Sequence, residues 1–370
     1  MSDQRPDGSY GWLYGEDKPA DAPPRPGASD LPPVNLPPPG GGRRGGEAPP
    51  RSGKSRKGRR IAGILVLVWI IFLVAVPIWA WGKIAKVDAS PASGRPDDQP
   101  GTTYLLVGSD SRRGLTKAEQ KDLSTGGDSG GRGRTDTIML LHTGSGPSVL
   151  LSVPRDSNVE IPGYGTMKIN AAYAIGGPKL LVRTVEASTD IRVDDYVEVG
   201  FGGLVKVVDS LGGIEICPKE RIKDKDSGLD VQKGCQQADG KTSLAYSRNR
   251  HSYATQDIQR VQSQREVLGS IAGKVKSPWT VLNPFRYVSV AQGASGSLRI
   301  GDDVGPIALG KFALALSSAM SGKGLNCTVP LRDLAVTWDP DRAPRMFNYI
   351  KTDRSDQIGS LCTKDGLPKR

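Results

Sequence analysis

The chain has 370 residues and a formal net charge of +11. That length allows two or three domains, and that charge favours an anionic partner: a membrane surface, nucleic acid or a phosphate-bearing substrate. Four cysteines without CxxC spacing exclude a zinc ribbon and a thioredoxin-type motif. Two histidines, His142 and His251, leave little for a His-based metal site or a Ser-His-Asp triad, and no GxxxxGKS/T occurs, so a P-loop of the usual kind is excluded.

Residues 1–60 hold 12 of the 28 prolines and no apolar run that could seed a core. They read as a disordered, basic, Pro/Gly-rich tail. Residues 61–82, IAGILVLVWIIFLVAVPIWAWG, follow without one charge, and about 20 apolar residues cross a bilayer as a helix. Trp79 and Trp81 fall where an interfacial aromatic belt belongs. The run is too long, and begins too late, for the h-region of a cleaved signal peptide. Arg43, Arg44, Arg51, Lys54, Arg56, Lys57, Arg59 and Arg60 precede it, opposed by Glu47 alone. The positive-inside rule then sets the tail in the cytoplasm and the main domain outside.

Residues 83–100 read as a polar linker. Strands are expected at 102–107, 137–143 and 148–153, the last two joined as a hairpin through Gly-Ser-Gly-Pro. A helical stretch at 169–188 breaks at Gly176-Gly177-Pro178. A strand at 196–199, a helix at 204–211 stopped by Gly212-Gly213, and a strand at 214–217 come next. Long helices cover 257–275 and 307–320. Strands alternating with helices predict an α/β domain, a central mixed sheet flanked by helices. Its main part spans 101–290, and 291–370 either completes it or forms a small appended lobe. An external domain permits disulfides. Of three possible pairings, pairing in chain order, Cys217–Cys235 and Cys327–Cys362, is the simplest. The first would close a loop that chain entropy values at about 3 kcal/mol.

Four segments gather Asp and Arg at strand ends and turns: Gly108-Ser109-Asp110-Ser111-Arg112, Arg132-Gly133-Arg134-Thr135-Asp136-Thr137, Val153-Pro154-Arg155-Asp156, and Tyr246-Ser247-Arg248-Asn249-Arg250. After the last come Asp257, Arg260, Gln264 and Arg265, the first three sharing one helix face. Arginine suits planar, bidentate phosphate recognition. Carboxylates at strand mouths, Asp110 and Asp136, fit Mg²⁺, which is held by one or two carboxylates with substrate phosphates and water. Together these residues describe a pyrophosphate site in which arginines neutralise oxygens and a metal stabilises the leaving group.

With Ile161-Pro162-Gly163, Lys168-Ile169-Asn170 and Val208-Asp209-Ser210-Leu211-Gly212-Gly213-Ile214 added in order, residues from about 102 to 275 resemble the LytR-CpsA-Psr family. The resemblance implies a Mg²⁺-dependent phosphotransferase outside the cell that moves a glycopolymer from a polyprenyl-pyrophosphate carrier to peptidoglycan. It implies that Asp110 and Asp136 form the acidic, metal-linked pair, and that Arg112, Arg134, Arg155, Arg248 and Arg250 bind the pyrophosphate. Arg260 and Gln264 would complete the phosphate-binding face and Asp257 would orient Arg260. Asp156, Lys168 and Asn170 would order the floor. The family often has Arg-Gln-Gln where this chain has Ser263-Gln264-Arg265, so Arg265 either replaces the missing charge or leaves the site less basic. A lipid tail would lie in an apolar pocket, with Leu180, Leu181, Val197, Val199, Leu204, Val207 and Val208 as candidate lining. The resemblance gives no role to nucleic acid. The competing readings are a non-catalytic polyprenyl-phosphate-binding module, a membrane regulator, and a pyrophosphatase acting on the same lipids.

Overall fold

The computed structural model describes residues 56–110, 133, 135–224, 227–249, 256–333 and 335–368. Residues 1–55, read as a tail, and Arg112, Arg134 and Arg250 lie outside the described residues, as does the side chain of Asp257. The chain divides into two units, Met1–Arg59 and Arg60–Arg370, and the globular fold belongs to the second.

Helix α1 (Arg56–Trp81) has Pro77 inside it. Its segment Gly58–Trp81 is long and apolar enough to cross a membrane. The strands that follow are β1 (Ala85–Val87), β2 (Thr102–Ser109), β3 (Thr135–Thr143), β4 (Val149–Val153), β5 (Asn158–Ile161), β6 (Gly165–Lys168), β7 (Asp195–Gly200), β8 (Ile214–Ile216), β9 (Ile222–Asp224), β10 (Leu229–Val231), β11 (Gln236–Ala238), β12 (Leu298–Gly301) and β13 (Leu325–Thr328). The helices after α1 are α2 (Ile169–Thr189), α3 (Phe201–Ser210), α4 (Gly240–Arg248), α5 (Gln256–Val275), α6 (Pro278–Leu282), α7 (Pro284–Ser295), α8 (Pro306–Met320) and α9 (Arg342–Lys351).

Seven strands form one mixed sheet in the order β1-β12-β7-β2-β3-β4-β13. The β2–β7 and β4–β13 pairs are parallel, and β2–β3–β4 is an antiparallel meander. The carboxyl ends of β2, β4 and β7 therefore share one edge with the start of β3. Alternation along each strand separates two cores. Leu105, Val107, Ile138, Leu140 and Leu151 face one way, under α2 and α9. Tyr104, Leu106, Met139, Leu141 and Leu150 face the other, under α8 and the Leu268 part of α5. A third cluster packs β8–β11 beneath α3, α4 and α5.

The expected break at Gly176-Gly177-Pro178 is a kink inside α2, where Gly177 takes φ 68°, ψ −156°. Glycine adopts that conformation without the clash a Cβ would meet. Both disulfides pair in chain order, Cys217–Cys235 and Cys327–Cys362. The segment 83–100 does more than link. Ala85–Val87 adds an edge strand to β12, Ala89 is buried in the core, and Arg95 donates to the buried Glu186 at 2.8 Å. Its few apolar residues escaped notice because an edge strand needs only three residues and one partner. Residues 291–370 place β12 and β13 in the central sheet.

Candidate active site

The site lies at the strand edge where β2 and β4 end and β3 begins, the position where open α/β sheets bind ligands. Its centre is Asp136. The β2–β3 register jumps there: Gly108 pairs with Thr137, but Ser109 pairs with Thr135. Asp136 is thus the extra residue of a β-bulge, a device that re-aims a side chain at a sheet's end. Thr135 Oγ1 donates to the Thr137 carbonyl across the bulge at 2.9 Å. Asp110 is the residue after the paired Ser109, so the two carboxylates stand on neighbouring strand ends.

Two arginines converge on Asp136. Arg155, in the turn after β4, donates from Nη1 to Asp136 Oδ1 at 2.7 Å. Arg260, on α5, donates from Nη2 to the Asp136 carbonyl at 3.1 Å and places Nη1 3.7 Å from Oδ1. Gln264, one turn on, makes a long bond to the same carbonyl at 3.5 Å. The Arg260 side chain is 2% exposed, so its charge acts where water screens little. Arg248 sits at the end of α4 with its guanidinium 4.8 Å from the Phe201 ring centre, a cation–π contact.

The floor is built from the β4 turn and the start of α2. Asp156 links Arg155 Nε, at 3.6 Å, with Lys168 Nζ, at 2.9 Å. The Asn170 backbone N–H donates to the Arg155 carbonyl at 3.3 Å, and Ile169 N–H to Ser157 at 2.8 Å. Lys168 itself is exposed, so its part is to hold Asp156 from outside.

Arg265 is elsewhere. It is 5% exposed. Its guanidinium donates to Ser152 Oγ at 2.9 Å, the Lys364 carbonyl at 3.0 Å, Thr328 Oγ1 at 2.7 Å and the Cys327 carbonyl. Burial lowers its pKa to about 10, which leaves it charged at neutral pH. It fastens α5 to the ends of β4 and β13 and does not replace a site charge. On α5 it turns away from Arg260 and Gln264, a difference of one residue that rotates a side chain by about 100°.

A cavity of about 280 Å³ opens from this cluster. Asp136, Gln264 and Arg248 border one end. The remainder is apolar, walled by Val197 and Val199 of β7, Leu204 and Val207 of α3, Leu268, Ile271 and Val275 of α5, Val290 of α7, and Phe312 and Leu316 of α8. Four of the seven expected lining residues are in it. Leu180 and Leu181 are not: α2 covers the opposite sheet face, and Leu181 is fully buried there. Val208 turns into the cluster beneath β8–β11.

One group was missed from sequence. Glu198 of β7 is fully buried and accepts from Ser109 Oγ at 2.8 Å, Tyr173 OH at 2.8 Å, Tyr196 OH at 2.9 Å and Arg299 Nη1 at 3.1 Å. It fixes Ser109, the residue before Asp110. Burial and then the Glu198 charge raise the Tyr173 and Tyr196 pKa values, so both remain donors. Burial works against the Arg299 charge, but Glu198 outweighs it and the guanidinium pKa rises. The signal was in the sequence: in Tyr196-Val197-Glu198-Val199 the period of two puts a carboxylate on the inward face beside Tyr196.

Among the described residues, the one cluster of three or more metal-capable groups is Glu215 with Cys217 and Cys235, and a disulfide engages both sulfurs. Asp110 and Asp136 supply hard carboxylate oxygens on adjacent strands, a donor set that suits Mg²⁺ completed by phosphate and water.

The family model of LytR_cpsA_psr matches residues 82–316. The chain belongs to this family. It is 42% identical over 299 residues to the probable cell wall biosynthesis protein LcpB of Corynebacterium glutamicum, an alignment covering 79% of this chain and 70% of LcpB. It is 29% identical to the cell wall biosynthesis protein LcpA of the same organism, across 64% of this chain and 51% of LcpA. A LytR-Csp2A-Psr enzyme from Actinomyces oris has a similar fold, with TM-score 0.59 and 20% identity over 72% of this chain and 96% of that one. TagV of B. subtilis superposes with TM-score 0.53 at 22% identity, over 70% and 98%.

Proposed function

We propose that this LytR-CpsA-Psr protein takes part in cell-wall biosynthesis by transferring a glycopolymer from a polyprenyl-pyrophosphate carrier to peptidoglycan. The observation behind this reading is the shape of the cavity: an arginine–aspartate cluster at one end and an almost wholly apolar throat behind it. A ligand matching both ends has an anionic head and a long hydrocarbon tail. The names of its Corynebacterium relatives as cell-wall proteins support the same reading. The basic run before α1 favours a cytoplasmic N-terminus and an external domain.

In this mechanism an acceptor hydroxyl attacks the phosphorus that bears the glycan. The new P–O bond links glycan phosphate to the wall, and the bond to the second phosphorus breaks. Polyprenyl phosphate leaves, its new charge met by arginine. Asp110 or Asp136 accepts the hydroxyl proton. Arg155 and Arg260 hold Asp136 and present guanidinium edges to the phosphate oxygens, and Arg248 guards the entrance to the throat. Mg²⁺ held by Asp110 and Asp136 would neutralise charge on the pyrophosphate. Arg112, Arg134 and Arg250 are proposed to extend the phosphate-binding face.

Replacing Arg155 tests this. Arg155→Lys keeps charge without the planar fork. It should lose a large part of the polyprenyl-phosphate release from a lipid-linked glycan analogue, and Arg155→Ala should lose on the order of 100-fold or more. Melting temperature is measured beside turnover. Full activity in Arg155→Ala, or a loss matched by unfolding, would exclude the phosphate role and leave Arg155 as a turn anchor.

A further inference from the structure

From residue 278 to residue 285 every exposed side chain is apolar: Pro278, Trp279, Val281, Leu282, Pro284 and Phe285. Phe285 is 85% exposed, Leu282 63% and Trp279 61%. The one buried residue among the polar ones, Thr280, turns its hydroxyl inward to the Lys274 carbonyl at 2.8 Å, and Asn283 caps α7 by accepting from Arg286 N–H at 3.1 Å. Arg286 reaches back to the Leu211 carbonyl at 2.6 Å. Within 278–285 the polar side chains thus turn inward and the outer face is hydrocarbon, while Ser289 and Gln292 are exposed further along α7. A contiguous patch of this kind on a protein surface marks a site of interaction.

Its occupant follows from α1. Along that helix Trp69, Phe72, Leu73, Val76 and Ala80 are shielded while the residues between them are exposed, a stripe at helical spacing that packs on the domain. The contact on the other side is α7. Tyr287 donates its hydroxyl to the Leu73 carbonyl at 2.9 Å, and its ring lies 5.8 Å from that of Phe72. Leu73 is inside the apolar run, nine residues before Gly82, or about 13 Å along a helix at 1.5 Å per residue. Half of a bilayer's hydrocarbon is about 15 Å thick. A helix that crosses the membrane thus holds α7 at the depth of the acyl chains. Lys83 over Trp79 at 4.1 Å and Lys86 near Trp81 at 5.5 Å mark the water boundary beyond the end of the apolar run. Tyr287 finding a carbonyl partner is what a hydroxyl needs where water is absent.

We infer that α6 and α7 are embedded in the leaflet on the domain's side of the membrane, forming a doorway through which the apolar cavity opens sideways into hydrocarbon. Val275 and Val290 connect the two, because both line the cavity, Val275 as the last residue of α5 before α6 and Val290 as a residue of α7 itself. The tail-entry part rests on the lipid-carrier reading. The embedding rests on α1 and the patch alone.

The test uses the full chain in nanodiscs of phosphatidylglycerol and phosphatidylethanolamine. Photoactivatable p-benzoylphenylalanine replaces Leu282, Phe285 or, as a control on the other sheet face, the exposed Arg345. Irradiation should give lipid adducts by mass spectrometry at least tenfold more abundant from 282 and 285 than from 345. Adduct yields equal to the control would overturn the inference, as would crosslinks joining two protein chains, which would mean that a second copy covers the patch. Adduct formation needs no turnover, so it stands or falls independently of glycopolymer transfer.

Discussion

The two faces of the central sheet are built to different standards. The face under α2 and α9 is closed: Leu105, Leu140, Leu151, Leu181 and Met346 are essentially unexposed, and the Cys327–Cys362 bridge is packed into it. The face under α5, α7 and α8 shares the same strands but stops short of closure, leaving the cavity between Val199, Leu268 and Leu316. Alternation along a strand treats both faces alike. What differs is the cover: α2, 21 residues long, and α9 pack into one face, whereas on the other α3, α5, α7 and α8 each line part of a cavity. One side is packed shut and the other leaves a cavity of about 280 Å³.

Three measurements probe that contrast. The largest effect is expected from matched truncations. Leu181→Ala on the closed face should cost about 2–5 kcal/mol in urea denaturation, because the emptied volume cannot collapse. Leu316→Ala, on the cavity wall, only widens an existing space and should cost roughly 1 kcal/mol. Equal losses would show that the open face is packed as tightly as the closed one.

Arg265 comes next. It seals the end of the open face by bonding β4, β13 and the C-terminal segment. Arg265→Met should lose on the order of 3 kcal/mol, since acceptors to a buried charge are left unmet. Below the shifted unfolding transition, its turnover should equal that of the parent protein. Turnover lost without a loss of stability would return Arg265 to the phosphate site.

The smallest effect is a pH dependence at the other end of the open face. Burial, and then Asp303 and Asp194, raise the Asp195 pKa to about 6 from 3.8. The folded state therefore binds the proton more tightly than the unfolded chain. Stability from this group is complete below pH 4 and falls as pH rises to about 6 and beyond. Because Asp195 is only half-buried, the span should be near ~1 kcal/mol. Asp195→Asn should melt higher than the parent protein at pH 7, with the gap closing at pH 4. A gap of constant size across that range would remove Asp195 as the cause.

Much was legible before any coordinates. The apolar run of α1, strands β2 to β4, and the long helices α5 and α8 announce themselves by length and period, since each buries a regular pattern of side chains. The cysteine positions left three pairings open, and the chain-order one favoured as simplest is the one the fold makes. The Asp and Arg residues at strand ends were readable as a group because the residue types match phosphate chemistry. Edge strand β1, with three residues, and β12 and β13, with four each, were not, because so short a strand is defined by its partner and not by its own sequence.

Only the tertiary structure decided how those pieces meet. The bulge at Asp136 depends on register between two strands, and no local preference encodes it. Whether Arg265 faces the site or the sheet's end turns on one helical step and on which acceptors lie within reach. Leu181 and Val199 are equally apolar, yet one closes a core and the other lines a cavity, because the face a side chain takes is set by what packs above it. Sequence determined which residues are apolar, charged or able to turn. The fold decided which of them share a space, since distance between remote segments exists only once the sheet has formed.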